Sequence, residues 1–115
     1  MKVVLICGVT CESRNACIEE QKNILENPVV IDETTTLEQI QQYFTDSRNV
    51  IWDQLNLYPE SREQKLNFVP SGYHKTAVYV KPKKEELTSE DLVMKNMQFV
   101  APSEFENFDC IMRYM

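Results

Sequence analysis

The part of the chain best suited to chemistry is an eight-residue loop that follows the first apolar run. Its sequence, GVTCESRN at residues 8–15, has the length and position of the phosphate-binding pattern G-x-x-x-x-G-K-[ST], which joins a strand to a helix. In that pattern backbone N–H groups, a lysine and a hydroxyl hold phosphate groups and a magnesium ion. Here Ser13, Arg14 and Asn15 stand at the second glycine, the lysine and the hydroxyl positions. Only Gly8 fits the pattern.

These replacements weaken phosphate binding for steric and electrostatic reasons. The Ser13 side chain blocks the close approach that a glycine permits, and Glu12 adds a negative charge where a triphosphate would lie. Arg14 either binds an anion at the helix N-terminus or pairs with Glu12 or another nearby carboxylate. We therefore assign Gly8, Ser13, Arg14 and Asn15 as a degenerate phosphate-binding set. We expect little or no phosphoryl transfer, because that reaction depends on positioning and charge neutralisation.

Two aspartates follow apolar runs and are the next candidates. In parallel sheets ligands bind outside the carboxyl ends of the strands, where Asp32 and Asp53 are expected to lie. Either residue could serve a reaction, but strand-end aspartates more often cap the following turn or helix, which is the role we favour. Cys11 lies in a loop that precedes a helix, where a thiolate can be stabilised, yet no convincing histidine or asparagine partner accompanies it. His74, the only histidine, is predicted to have a surface or turn role.

Strand and helix patterns alternate along the chain. Apolar runs predict five strands, at residues 3–7, 29–31, 50–52, 76–80 and 108–114. Helical spacing predicts four helices. They lie at residues 13–26, at residues 37–44 after a cap at Thr35 or Thr36 with a partner three residues later, at residues 59–68, and after a cap at Thr88 or Ser89. The expected inward positions are Ala16, Cys17, Ile24 and Leu25 in the first helix and Leu37, Ile40, Tyr43 and Phe44 in the second. The last helix carries Leu92, Val93, Met94 and Met97, and the methionines Met94, Met97, Met112 and Met115 are compatible with core packing or with a partner surface. The alternation predicts one domain, residues 1–115, with a three-layer α/β fold and a mostly parallel five-stranded sheet.

Composition restricts the partners and the compartment. Eighteen acidic and twelve basic residues among 115 give a net charge of -6, which disfavours a broad nucleic-acid-binding face. No apolar run approaches the roughly 20 residues that cross a bilayer, so we expect no membrane association. No export signal is apparent, and the four cysteines lack zinc or C-x-x-C spacing. We therefore expect reduced thiols and an intracellular protein of the cytoplasm or nucleus, which is not secreted.

The second half of the chain resembles a known family. Residues 50–68, VIWDQLNLYPESREQKLNF, and residues 72–80, GYHKTAVYV, are similar to the D-x-T-N or D-Q-T-N strand and helix of P-loop kinases of the polynucleotide kinase type. They are most similar to the kinase-like domain of the heterogeneous nuclear ribonucleoprotein U group. Residues 87–109, LTSEDLVMKNMQFVAPSEFENFD, resemble that family's closing helix, in which P-x-x-V-x-x-M-x-x-F-x-x-P leads to a last strand with F-D.

The resemblance implies roles for particular residues if the protein is active. Asp32 would be the general base for a 5′-hydroxyl, and Asp53 would assist magnesium and phosphate positioning. Gln54 and Asn56 lie at or near the glutamine and asparagine of the family pattern. Active members also carry an arginine-rich lid after the fourth strand, which this chain lacks, since no arginine occurs between Arg62 and Arg113.

The sequence therefore predicts a catalytically inactive P-loop-kinase-like module that needs no cofactor and binds a protein partner or forms a homo-oligomer. Its small size and missing lid suggest a viral structural or regulatory protein. One alternative is a minimal ATP- and magnesium-dependent polynucleotide or nucleotide kinase, in which Arg14 replaces the lysine and Asp53 holds the metal. Another is a nucleic-acid-end-binding module that uses Lys81, Lys83 and Lys84.

Overall fold

The computed structural model describes residues 1–114 and contains a parallel five-stranded sheet. The strands are β1 (Lys2–Cys7), β2 (Val29–Ile31), β3 (Val50–Asp53), β4 (His74–Val80) and β5 (Cys110–Tyr114), and the helices are α1 (Cys11–Ile24), α2 (Leu37–Thr45), α3 (Pro59–Leu66) and α4 (Glu90–Gln98). The strands lie in the order β2-β3-β1-β4-β5, and each pair is parallel. This arrangement confirms the predicted α/β fold.

The central strand β1 contributes to two apolar cores because its successive side chains point to opposite faces of the sheet. Leu5 packs with Phe44 of α2 and Leu66 of α3 on one face. Ile6 packs with Cys17 of α1 on the other face. Helix α1 therefore covers one face of the sheet and α2 and α3 cover the other, which gives the three layers.

Threonine side chains fix the start of two helices. The Thr10 Oγ1 atom accepts a hydrogen bond from the Ser13 backbone N–H at 3.2 Å and caps α1. This cap starts α1 earlier than the sequence pattern predicted. Thr36 and Gln39 form a reciprocal capping box at α2, as the pattern of residues 35–39 predicted.

Part of the predicted inward face of α1 and α2 is wrong. Ala16, Ile24 and Leu37 are exposed, whereas Cys17, Leu25 and Phe44 are buried as expected. The side of α1 that faces the sheet also carries polar residues, so apolar spacing alone could not locate it. Its buried members include Ser13, Arg14 and Gln21.

The methionines of the last helix, for which the sequence allowed core packing or a partner surface, lie outside the core. Helix α4 has no buried residue, and Val93, Met94 and Met97 are exposed. The chain that follows α4 supplies the missing cover, because Phe99 and Phe108 pack against the core formed with α2 and α3. A sequence pattern cannot tell an apolar helix face that packs on the sheet from one that is left in solvent.

Other element boundaries also differ from the predicted ones. Strand β4 begins at His74, whose backbone N–H donates to the Met1 carbonyl at 2.9 Å. Strand β5 begins only at Cys110. Asp109, just before it, is joined to Lys75 of β4, because its backbone N–H donates to the Lys75 carbonyl and its Oδ2 accepts the Lys75 N–H, both at 2.8 Å. Helix α3 ends at Leu66, so Phe68 lies beyond it and is exposed.

The helices are short. The longest, α1, has 14 residues, fewer than the roughly 20 needed to cross a bilayer. Within residues 1–114, no helix has the length and apolar character of a membrane span.

Candidate functional site

The candidate site lies at the carboxyl ends of β1 and β3, where Gly8 begins the loop to α1. Ile6 and Asp53 are paired across the two strands, so the loop and the Asp53 carboxylate are neighbours. The Gly8 N–H donates to the Leu55 carbonyl at 3.1 Å. A Cβ atom on Gly8 would lie 2.8 Å from a Val80 methyl carbon, so a glycine is needed for this close approach.

The Arg14 side chain folds back under the loop and is 7% exposed. Its Nε donates to Asp53 Oδ1 at 2.9 Å, and its Nη1 donates to the Gly8 carbonyl at 2.9 Å. Its Nη2 lies 3.5 Å from Cys11 Sγ. The sequence suggested an anion, Glu12 or another nearby carboxylate as the partner of Arg14. In the structure this partner is the Asp53 carboxylate. Each nitrogen of the guanidinium therefore contacts a group of the chain itself.

The N-terminus of α1 holds a carboxylate from a distant part of the chain. Glu86, in a short 3₁₀ helix at Lys84–Glu86, accepts hydrogen bonds at Oε1 from the hydroxyls of Thr10 and Ser13, at 2.7 and 2.6 Å. Its Oε2 accepts the Lys83 backbone N–H at 3.1 Å. Thr10 and Ser13 are both buried. A negatively charged group therefore lies where the sequence pattern would place a phosphate.

These contacts favour the ionised form of Glu86. The pKa of Glu86 is lowered below its ordinary value of 4.5 by the hydrogen bond from Ser13, which has the largest effect, and by the hydrogen bond from Thr10. The Glu86 carboxylate is consequently an anion throughout the neutral range. It would repel a second anion approaching the same two hydroxyls.

Asp32 lies beside Asp53, because Ile31 is paired with Trp52 on the neighbouring strand. Its Oδ1 accepts hydrogen bonds from the backbone N–H and the hydroxyl of Thr34, at 2.8 and 2.6 Å. These bonds lower the pKa of Asp32. The geometry is that of a carboxylate capping its own turn, the role favoured from the sequence.

The other residues of the family pattern have different positions. Asn56 is buried with φ of 50°, and its Nδ2 donates to the Ile6 carbonyl at 2.7 Å, which ties the loop after β3 to β1. Gln54 is half-buried in the same loop. Asn15 is exposed on α1 and takes no part in the hydrogen bonds that join Thr10 and Ser13 to Glu86. The structure therefore brings Gly8, Ser13, Arg14 and Asp53 together, but not Asn15.

A cavity of about 560 Å³ lies next to Glu86 and Ser13. Lys81, Lys83 and Arg113 contribute to its walls, together with Glu12 and apolar groups. Lys81, Lys83 and Lys84 are exposed, and none of them forms an ion pair with any of residues 1–114. The connection between β4 and α4 thus presents lysines to solvent and directs Glu86 inward.

The remaining candidates for chemistry are separated from one another. Cys11 is exposed at the first residue of α1, whereas His74 lies in β4 with its Nδ1 atom 3.3 Å from the Thr76 hydroxyl. Among the residues that the structure describes, no cluster of three or more histidine, cysteine or acidic side chains could hold a metal ion. All four cysteines are free thiols.

Glu86 was absent from the candidates drawn from the sequence. It lies 73 residues after Ser13, within a charged segment of three lysines and two glutamates that carries no marker of a long-range contact. Thr10, by contrast, had a local signal, since a threonine before a helix is a common N-cap.

The resemblance described above rests on motifs of this sequence alone. No protein-family model matches the chain, and no curated protein matches it.

Proposed function

We propose that this chain is a catalytically inactive P-loop-kinase-like module that acts by binding protein. The observation that carries the proposal is the Glu86 carboxylate, which accepts hydrogen bonds from Thr10 and Ser13 at the N-terminus of α1. A phosphate group there would need the same hydroxyls and the same positive end of the helix dipole. Glu86 satisfies both within the folded chain.

The contacts of Arg14 support the same conclusion. A residue that neutralises a transferring phosphoryl group must direct its charge toward the ligand. The Arg14 guanidinium instead donates to Asp53 and to the Gly8 carbonyl, and it is almost fully buried. Releasing it would leave a buried carbonyl and a carboxylate without their partners, which is costly.

The residues present do not fit the magnesium and ATP that an active kinase would need. Asp53, the proposed metal ligand, has Oδ1 bound to Arg14, and Asn15 supplies no hydroxyl and is exposed. Magnesium requires near-octahedral oxygen ligation. A cation at Asp53 would also lie next to the Arg14 guanidinium.

The exposed apolar side chains support binding of protein. Met97 is 76% exposed and Phe105 is 90% exposed, and both belong to the part of the chain after β4. Val93, Met94 and Val100 are exposed in the same part of the chain. Val93 and Met94 line one shallow pocket. Apolar side chains that are exposed side by side are typical of interaction sites.

A thermal-shift titration with ATP, ADP and GTP, each with and without magnesium, tests the proposal. Because a ligand that binds the native state raises the melting temperature by mass action, we expect no shift up to millimolar nucleotide. An assay for phosphorylation of a 5′-hydroxyl end should show no product.

Arg14→Lys provides a sharper form of this experiment. The substitution restores the lysine of the phosphate-binding pattern but leaves Glu86 in place, so we still expect no magnesium-dependent shift. A clear shift in the wild type that disappears in Asp53→Asn would contradict the proposal and favour the minimal kinase.

A further inference from the structure

A second cavity, of about 330 Å³, opens between α3 and the loop of residues 103–107, away from the loop between β1 and α1. Pro59 and Leu66 of α3 provide apolar walls. Phe105 stands at the edge of the cavity and is 90% exposed, the highest exposure among the large apolar side chains. The volume falls at the lower end of the range for ligand pockets.

Hydrogen bonds from Arg62 and within the turn hold the loop that carries Phe105. The Arg62 side chain is fully buried, and its Nε and Nη2 donate to the two carboxylate oxygens of Glu106 at 2.7 and 3.0 Å. Arg62 Nη1 also donates to the Val100 carbonyl at 2.8 Å. Ser103 closes the turn, donating its backbone N–H to Glu106 Oε2 at 2.9 Å.

This bracing fixes the backbone on both sides of Phe105, so the aromatic ring is presented to solvent by an ordered turn. Little conformational entropy of the loop would be lost when a partner binds. Exposed aromatic side chains in such positions are typical anchors of protein interfaces.

The charge around the cavity indicates what kind of partner it fits. Glu63 and Glu106 line the cavity, and no lysine or arginine does. Arg62 neutralises Glu106, but Glu63 has no ion-pair partner among residues 1–114. Glu60 and Glu104 are exposed next to the lining residues in the sequence. The negative surroundings disfavour nucleic acid and anionic lipid and favour a cationic ligand.

We propose that this cavity is a docking site for a basic peptide segment of a partner protein. An aliphatic or aromatic side chain of the segment enters between Pro59 and Leu66. A neighbouring lysine or arginine lies against Glu63 and over the Phe105 ring, where a cation–π contact adds to the charge attraction. The inference rests on the proposed protein-binding function and names the class of partner.

The test begins with selection of peptides from a random displayed library on the full chain. We expect the selected peptides to carry lysine or arginine next to a large apolar residue. The affinity of one such synthetic peptide should fall about tenfold or more in Phe105→Ala and in Glu63→Lys, as for interface anchors. Ile24→Ala and Glu26→Lys, at exposed positions at the end of α1 and just after it on the opposite face, are matched controls and should bind like the wild type.

The inference is overturned if no peptide is selected, if the selected peptides are acidic or neutral, or if Phe105→Ala and Glu63→Lys bind as well as the controls. Circular dichroism of each variant identifies any loss of fold, and Glu63→Gln provides a milder second variant. The nucleotide titration keeps the two proposals separate. Magnesium-dependent nucleotide binding would overturn the proposed function, whereas failure of the peptide selection with no nucleotide binding would overturn only this docking site.

Discussion

At the scale of single residues, Arg14 illustrates how a candidate binding residue becomes a structural one. Its guanidinium joins α1 to β3 and to the loop at Gly8. We expect Arg14→Ala to lower the free energy of unfolding by about 2 kcal/mol, because Asp53 and the Gly8 carbonyl lose a largely buried partner.

Urea denaturation of Arg14→Ala provides the measurement. Lys22→Ala is the matched control, since Lys22 forms only an exposed pair with Glu19 on the same helix. It should change the free energy of unfolding by less than about 0.5 kcal/mol. Equal effects of the two substitutions would show that the Arg14 contacts contribute no more than a surface pair.

Glu86 predicts a dependence of stability on pH. Its folded pKa lies below its ordinary value of 4.5, so the unfolded chain binds the proton more tightly. The stabilising contribution is therefore present above about pH 4.5 and is lost as the pH falls through the folded pKa. Glu86→Gln should be less stable than the wild type at pH 7, by on the order of 0.5 kcal/mol after solvent screening.

The difference between Glu86→Gln and the wild type should shrink when both are denatured at about pH 3, because the wild-type carboxylate is then increasingly protonated. Asp32 titrates in the same direction but is common to both proteins. Glu85→Gln, at the exposed neighbouring position, should follow the wild type at both values of pH. A difference that is independent of pH would assign the effect to packing.

At the scale of elements, α3 and α4 differ in the burial of their apolar side chains. Leu66 of α3 is buried in the core, whereas Met97 of α4 is 76% exposed. Leu66→Ala should lower the free energy of unfolding by about 3 kcal/mol through lost burial and a cavity. Met97→Ser should change it by less than about 0.5 kcal/mol. A large loss for Met97→Ser in urea denaturation would place α4 in the core.

The sequence allowed prediction of all five strands and four helices because buried parallel strands are continuous apolar runs between helical patterns. Local signals also located the caps at Thr36 and Ser89. The same patterns failed where the decision depended on tertiary packing. The polar inward side of α1 is the clear example. For the apolar side of α4, which is exposed, the pattern left core packing and a partner surface open.

The candidate site was likewise predictable from the sequence only in part. The strand order brings Gly8 and Asp53 together at one edge, as the rule for parallel sheets predicted. Two other features depend on side-chain contacts between segments that are far apart in the chain. These are the ion pair of Arg14 with Asp53 and the hydrogen bond of Ser13 to Glu86. Such contacts leave no periodic trace in a single sequence.

At the scale of the whole molecule, one buried thiol lies in the core on each face of the sheet. Cys7 of β1 belongs to the core formed with α2 and α3, and Cys17 of α1 belongs to the core on the opposite face. Burial raises the pKa of Cys7 to about 12 and that of Cys17 to about 11, so neither is a ready nucleophile in the folded protein. Cys11 is exposed.

If the chain unfolds as the single unit expected from its length, Cys7 and Cys17 should react with iodoacetamide only through the same global opening. Their labelling should be slower than that of Cys11 by about a thousandfold or more, and both rates should rise with the same dependence on urea. Mass spectrometry of the labelled peptides gives the three rates. Labelling of Cys17 well ahead of Cys7 would instead show that α1 separates from the sheet while the rest stays folded. In that case the contacts that Arg14 and Ser13 make from α1 would open with the helix, and the proposed block at the phosphate position would be transient.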